Sequence, residues 1–242
     1  MATLSINDRD RLFVLTGAGV SAESGLPTFR GADGLWRGYR VEEVASPAAW
    51  HRSPQMVWEF YSWRRDVHRT VHPNPGHLAL ARLEQRLGKR MFLCTQNVDS
   101  LHEQAGSKTV VHMHGRLLES RCDRCTRPPF EDARSYASLD DVPRCPCGGL
   151  ARPNIVWFGE TPFHMDEILG ALGRTTLFLA VGTSGAVYPA ASFSQSARQA
   201  GARTFYIGPE EPLNRHAFDE CILGKSGEVL PELFAEGSSR RR

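Results

Sequence analysis

The sequence predicts an α/β protein with a mainly parallel sheet, interrupted by two insertions. Three observations predict it. Short apolar runs alternate with stretches of helical periodicity along most of the chain. The first run breaks at Gly17-Ala18-Gly19, the layout of a strand that turns through glycines into a helix. Two regions, about 41–71 and 117–153, lack the alternation and so stand outside the sheet.

The elements follow in order. Leu12–Leu15 is an apolar run with the length of a buried strand. After it, glycines allow backbone to approach a pyrophosphate, and a helix N-terminus offers N–H donors and the positive end of its dipole. Residues 17–22 fit the loose fingerprint Gly-x-Gly-x-x-Gly/Ala. The continuation Pro27-Thr28-Phe29-Arg30-Gly31-Ala32-Asp33-Gly34-Leu35-Trp36 is unlike a dehydrogenase. Such an enzyme needs an acid at the end of a second strand, about 20 residues past the glycines. Residues 34–40 hold neither an acid nor a strand pattern. Further strands are expected at Arg90–Cys94, Thr109–Val111, Thr176–Val181 and Thr204–Ile207. Helices are expected at Pro54–Val71, Gly76–Leu87, Asp99–Ala105, Asp166–Leu172 and Pro189–Ala200. A substrate cleft is expected where the two insertions meet the core.

Composition narrows the function. The 242 residues carry 29 basic and 27 acidic side chains, a net charge of +2, which leaves no electrostatic footprint for nucleic acid. The first ten residues are polar and lack the apolar core of a signal peptide. No apolar run approaches the roughly 20 residues that cross a bilayer. The expectation is a cytoplasmic protein without a membrane partner, in which clustered cysteines point to metal before disulfides. Cys122-x-x-Cys125 and Cys145-x-Cys147, 19 residues apart, suit one tetrahedral zinc held by four thiolates. A full thiolate shell leaves no open position, so this zinc is structural. Cys94 and Cys221 are expected in the core.

Several strands are expected to end in small polar loops, where open α/β sheets bind ligands. Gln96, Asn97 and Asp99 suit an amide or ribose partner, and Asn97 or Asp99 also suits the N-cap of the next helix. His112 and His114 would share a side if their strand continued. Either can act as a base near neutral pH, and composition does not choose between them. Gly182-Thr183-Ser184-Gly185 and Gly208-Pro209-Glu210 close two further strands.

Taken together, Gly17-Ala18-Gly19-Val20-Ser21 through Phe29-Arg30-Gly31, Thr95-Gln96-Asn97-Val98-Asp99, His112-Met113-His114-Gly115, the four cysteines and Gly182-Thr183-Ser184 resemble the sirtuins, NAD-dependent protein-lysine deacylases, in the family order. The resemblance spans about residues 11–234. It implies a Rossmann-like parallel sheet with an inserted small domain, a zinc ribbon plus a helical module. Within one catalytic domain over 1–242, the core would comprise 1–40, 73–116 and 154–242, the helical module 41–72 and the zinc module 117–153. By motif, NAD would meet Gly17, Ala18, Gly19, Thr28, Phe29, Arg30 and Trp36, then Gln96, Asn97, Val98 and Asp99, and on the adenosine side Gly182, Thr183, Ser184, Gly208, Pro209 and Glu210. His114, directly before Gly115, matches the catalytic histidine, and Asn97 would position the ribose and a water. Val156 and Phe158, in Val156-Trp157-Phe158-Gly159-Glu160, would pair with the substrate peptide as an added strand. The implied chemistry releases nicotinamide as the acyl oxygen attacks the ribose C1′. His114 then takes a ribose hydroxyl proton, and O-acyl-ADP-ribose and free lysine leave.

The acyl group is read from helix Pro54–Val71. Val57, Phe60, Tyr61, Arg64, Val67 and Val71 form one stripe, with Arg64 inside it. An unpaired buried charge is costly, so Arg64 either snorkels or pairs with an acid such as Glu59 or Asp66, or meets a ligand. Tyr61 and Arg64 share a face and together can hold a carboxylate. The Tyr-x-x-Arg pair resembles the class III sirtuins, which implies removal of succinyl and malonyl groups as well as acetyl. The sequence departs from the family at Gly208, where Asn is usual, which predicts a missing ribose contact and weaker NAD binding. The alternatives are a mono-ADP-ribosyltransferase and a non-catalytic module that binds NAD or acyl-lysine. A monomer acting on acyl-lysine protein or peptide is expected.

Overall fold

A computed structural model describes residues 4–27, 35–36 and 39–235, without the side chains of residues 35, 36, 39, 41 and 42. Six strands form one parallel sheet: β1 (Leu12–Thr16), β4 (Met91–Thr95), β5 (Val110–His112), β9 (Leu177–Val181), β10 (Arg203–Gly208) and β11 (Glu220–Leu223). Their order is β11-β10-β9-β1-β4-β5. The chain moves outward from β1 through β4 to β5, then returns to the other side at β9. This places a topological switch point between β1 and β9, with Thr16 beside Thr95 on one side and Val181 on the other.

Period-two patterning fixes which residue faces which layer. Leu12 and Val14 with Leu177, Leu179 and Val181 pack under α1 (Ala18–Ala22), α5 (Pro75–Leu87) and α9 (Ser226–Leu233). Phe13 and Leu15 with Phe178 and Ala180 pack under α7 (Met165–Leu172) and α8 (Phe193–Gln199). Helix α5 starts on a capping box, with the Asn74 side chain accepting from the Gly76 N–H at 2.9 Å and His77 reaching back to Asn74.

The two insertions share one core. Helices α2 (Val41–Val44), α3 (Pro47–Arg52) and α4 (Pro54–His68) pack against an antiparallel sheet of β6 (Gly115–Cys122), β7 (Phe130–Glu131) and β8 (Ala151–Ile155). Val57, Trp58, Phe60 and Tyr61 of α4 meet Leu117, Tyr136, Val142, Ala151, Ile155 and Trp157 in that core. Ser46 and Ser53 cap α3 and α4, each ahead of a proline in the first turn. Arg65 is fully buried and donates to the carbonyls of Leu117 (2.9 Å) and Arg134 (2.7 Å), while its Nη1 lies 3.4 Å from Asp132.

Several expectations shift. Helix α4 stops at His68, short of Val71, as the chain approaches Pro73. The helix expected over Asp99–Ala105 shortens to α6 (Leu101–Gln104), because the Asp99 carboxylate accepts from the Leu101 N–H at 3.1 Å. Pro189–Ala200 splits into a 3₁₀ turn, Ala190–Ser192, and α8. The stretch read as lacking strand forms a hairpin of β2 (Leu35–Trp36) and β3 (Tyr39–Arg40), separate from the main sheet. Strands β6, β8 and β11 and helix α9 were not expected. Cys94 is buried, but Cys221 is only half-buried on the outer strand. Among the described residues, no helix is long and apolar enough to cross a membrane.

Candidate functional site

The loops at the carboxyl ends of the sheet meet a cavity of about 620 Å³, within the range of small-molecule sites. Of the residues singled out from the sequence, Gly17, Ala18, Gly19, Gln96, Asn97, Val98, His114, Gly182, Thr183, Ser184, Pro209 and Glu210 line it. So do Tyr61, Arg64, Val156 and Phe158 from the insertions. Asp99 and Gly208 are not in its wall. Thr28, Phe29, Arg30 and the side chain of Trp36 lie outside the described residues.

The glycines also bring two loops together. A Cβ at Gly19 would fall 2.7 Å from the Gly182 Cα, and one at Gly17 2.9 Å from the Gly182 oxygen. A Cβ on Gly182, at φ +61°, would meet the Val20 nitrogen at 2.5 Å. The loops after β1 and β9 therefore touch backbone to backbone, which only glycine permits. The Gly17 and Gly19 N–H groups donate to the carbonyls of Val181 (3.0 Å) and Gly182 (2.9 Å).

The polar centre is layered. Asn97 Nδ2 donates to the Gly17 carbonyl and Ser21 Oγ, each at 3.1 Å. Ser21 Oγ donates to Asp99 Oδ2 at 3.1 Å, so Asp99 is committed behind the cavity wall. His114 Nδ1 lies 3.1 Å from the Gln96 carbonyl, an acceptor, so Nδ1 carries the proton and Nε2 is left with its lone pair. Burial pushes the His114 imidazole below its ordinary value, with the bond to Gln96 opposing it. His112 goes elsewhere: β5 ends on it, and its ring sits between the Asn97 carbonyl (3.0 Å) and Glu103 (2.8 Å). The two histidines do not share a side, because the strand does not continue. Gly115, at φ +83°, is required where β6 crosses β8, since a Cβ there would lie 2.0 Å from the Asn154 oxygen.

Also in the cavity wall, the Arg64 guanidinium carbon lies 5.7 Å from the centre of the Tyr61 ring. Glu59 and Asp66 bond other groups: Glu59 accepts from Gln55, and Asp66 pairs with Arg69. Burial lowers Arg64 from its ordinary value, with the phenol, the Asp99 charge and a hydrogen bond to Tyr61 opposing it. Burial raises the Tyr61 phenol, so it stays protonated at neutral pH. Trp157 Nε1 donates to the Tyr61 oxygen at 3.0 Å, a contact that no local sequence signal announces. Glu160 accepts from the Trp157 N–H (2.8 Å) and from Arg152 (2.7 Å), which fixes the Val156–Glu160 segment.

The sulfurs of Cys122, Cys125, Cys145 and Cys147 all lie within 4.8 Å of one another. Two of the pairs are at 3.4 and 3.7 Å. Sulfurs bonded tetrahedrally to zinc sit about 3.8 Å apart, so the donor set fits that metal. Gly149 admits the cluster, because a Cβ there would meet Cys122 Sγ at 2.6 Å. After β10, Tyr206 occupies the space beside Gly208: a Cβ there would lie 2.1 Å from its hydroxyl, which donates to the Thr183 carbonyl at 3.3 Å.

The Sir2 family model matches residues 17–189. The chain is 51% identical over 225 residues to an NAD-dependent protein deacylase SIR2rp3 of Leishmania major, covering 90% of this chain and 91% of the other. It is 48% identical over 224 residues to an NAD-dependent protein deacylase of Caulobacter vibrioides, covering 91% and 94%. A solved Sir2 homolog–NAD complex superposes with a TM-score of 0.84 at 44% identity, covering 92% of this chain and 87% of that one.

Proposed function

The chain belongs to the Sir2 family, and on that premise we propose that it is an NAD-dependent protein-lysine deacylase that removes succinyl, malonyl and acetyl groups. One observation carries the reading: His114, with Nε2 unprotonated, faces the same cavity as Asn97, Tyr61 and Arg64. NAD, when bound, supplies the ribose carbon whose bond to nicotinamide breaks. Around it, Ala18, Gln96, Val98, Thr183, Ser184, Pro209 and Glu210 form the binding wall. Thr28, Phe29, Arg30 and Trp36 belong to the same assignment on motif alone.

The roles follow from the donors present. His114 Nε2 accepts the proton of a ribose hydroxyl, and the Gln96 carbonyl holds the ring in the tautomer that leaves Nε2 basic. Asn97 orients the reacting ribose, with its own amide fixed by Gly17 and Ser21. Val156 and Phe158 flank the peptide. Tyr61 and Arg64 present one O–H and a fork of N–H donors to a terminal carboxylate. Cys122, Cys125, Cys145 and Cys147 would hold a structural zinc that fixes the sheet of β6 and β8. The same reading takes the protein as a cytoplasmic monomer without nucleic-acid or membrane partners; the charge balance of +2 supports the nucleic-acid part of it.

Acetyl, malonyl and succinyl peptides incubated with and without NAD, followed by mass, test the reading. Loss of each acyl mass only with NAD, with O-acyl-ADP-ribose formed, is the expected result. Label from NAD on protein instead would favour an ADP-ribosyltransferase, and no turnover a binding module. Arg64→Met should lose desuccinylation by roughly 100-fold, on the scale of a charge-assisted contact, and deacetylation far less. Equal loss of both would sink the acyl assignment.

A further inference from the structure

We propose that Trp157 is a specificity-positioning residue: its indole N–H occupies an acceptor site on the Tyr61 oxygen and so aims the phenol O–H at the carboxylate of an acidic acyl chain. The inference rests on the acidic-acyl reading of Tyr61 and Arg64 and names how that pair is set.

An indole nitrogen only donates, whereas a phenol has one proton to give and lone pairs to receive with. Trp157 Nε1 and the Tyr61 oxygen are 3.0 Å apart, and both side chains are buried. Tyr61 must therefore be the acceptor in this contact, and its own proton cannot point along it. The Tyr61 hydroxyl is left to donate in another direction, and its residue lines the cavity beside Arg64. Donation into the phenol oxygen also polarises the O–H, so the two bonds strengthen one another. A carboxylate, which only accepts, profits from both. An acetyl group carries no carboxylate to accept from such a donor.

The indole is itself held on several sides. The Arg152 guanidinium carbon lies 3.3 Å from the centre of the Trp157 ring, and the Trp50 ring lies 5.8 Å away. Arg152 is paired with Glu160, whose Oε2 accepts the Trp157 backbone N–H at 2.8 Å. The segment flanked by Val156 and Phe158 is thus joined through one indole to the residue that reads the acyl end.

Trp157→Phe keeps an aromatic ring under Arg152 and removes the donor together with part of the buried indole, whereas benzothienylalanine at 157 removes the N–H alone. Expected is a roughly tenfold fall in the ratio of succinyl to acetyl kcat/KM, the loss of about one buried hydrogen bond, carried mainly by the succinyl-peptide KM. In a Tyr61→Phe background the same substitution should leave that ratio where Tyr61→Phe put it. Benzothienylalanine at 157, which keeps the indole shape without the N–H, replaces the phenylalanine variant if that one does not fold. An unchanged ratio, or additive losses in the double variant, overturns the proposal. If Arg64→Met and Tyr61→Phe both retain desuccinylation, the acidic-acyl reading itself fails. If they lose it while Trp157→Phe keeps the ratio, only the Trp157 role is lost.

Discussion

Arg65 and Asp132 form an ion pair 67 positions apart in sequence, Nη1 to Oδ2 at 3.4 Å, with neither side chain exposed. Arg65 belongs to helix α4 and Asp132 follows strand β7, so the pair fastens the helix that carries Tyr61 and Arg64 to the zinc-bearing segment. The Asp132 carboxylate also accepts from Ser120 (2.6 Å) and from the Tyr136 hydroxyl (2.9 Å). Arg65 lies over the Trp58 ring, 4.9 Å from its centre.

Asp132 also pairs with Arg134 at 3.0 Å, so losing Arg65 leaves the carboxylate one cation but takes the donor from the buried carbonyls of Leu117 and Arg134, a cost of roughly 1–3 kcal/mol. Arg65→Met should therefore lower unfolding stability by about that amount in denaturant titration. A loss under about 1 kcal/mol would show that the pair is dispensable.

Zinc removal should act at a distance. Leu117, Tyr136, Val142 and Ala151 come from the stretch between and around the cysteines, yet they share a core with Val57, Trp58 and Tyr61. Chelation should abolish acyl-peptide turnover and reduce near-ultraviolet aromatic ellipticity, with recovery on adding zinc. Full turnover in protein shown to be zinc-free would refute the coupling.

Gly208→Asn should not improve NAD binding. Sequence alone reads Gly208 as a missing contact, but the Tyr206 hydroxyl fills the space a side chain would enter. Tyr206 is buried against Phe218, with ring centres 5.6 Å apart, so it cannot swing away freely. Calorimetric titration should give weaker NAD binding for Gly208→Asn, and for Gly208→Asn with Tyr206→Phe a partial return at most. Tighter binding in the single variant would contradict the steric account.

Acid should destabilise the protein earlier than its carboxylates dictate. Burial lowers His77 to about 4, with the nearby Asp99 and Glu23 charges opposing it. Burial also lowers His68, and His102 more strongly, the latter next to His77 and His112. For each, the folded value lies below the unfolded one of about 6.5. Above that value both states are neutral and stability is complete. As pH falls, the unfolded chain takes up protons that the folded one refuses, so stability is lost from about 6.5 downward. His77, lowered to about 4, contributes about 1 kcal/mol of loss near pH 5.5, and His68 and His102 act in the same direction. Denaturant midpoints measured between pH 7.5 and 5 should fall steadily, and a flat profile would rule the histidines out. Catalysis should keep its acid limb below the imidazole range, because burial lowers His114 too.

Much of the site is legible because its signals are local. The cysteine spacing announces a metal cluster, and the polar residues at strand ends announce a ligand edge, since both follow from neighbours in sequence. The Tyr61 and Arg64 pair is legible because three residues make nearly one helical turn. The choice between His112 and His114 is not, because it depends on where β5 stops. Only then does one ring meet Glu103 and the other the cavity. Strands β6 and β8 escape detection because cysteines, prolines and charges break their period.

By itself the sequence determined the α/β alternation, the parallel sheet, the four-thiolate cluster and the order of the ligand loops. Each of these is written in spacing or periodicity over a few residues. The tertiary structure decided that the glycines bring the loops after β1 and β9 into contact, that Tyr206 fills the space beside Gly208, that Arg65 holds α4, and that Trp157 reaches Tyr61 across 96 positions. Those facts depend on backbones and side chains packed to contact distance after the chain has folded, and no local pattern encodes such contacts.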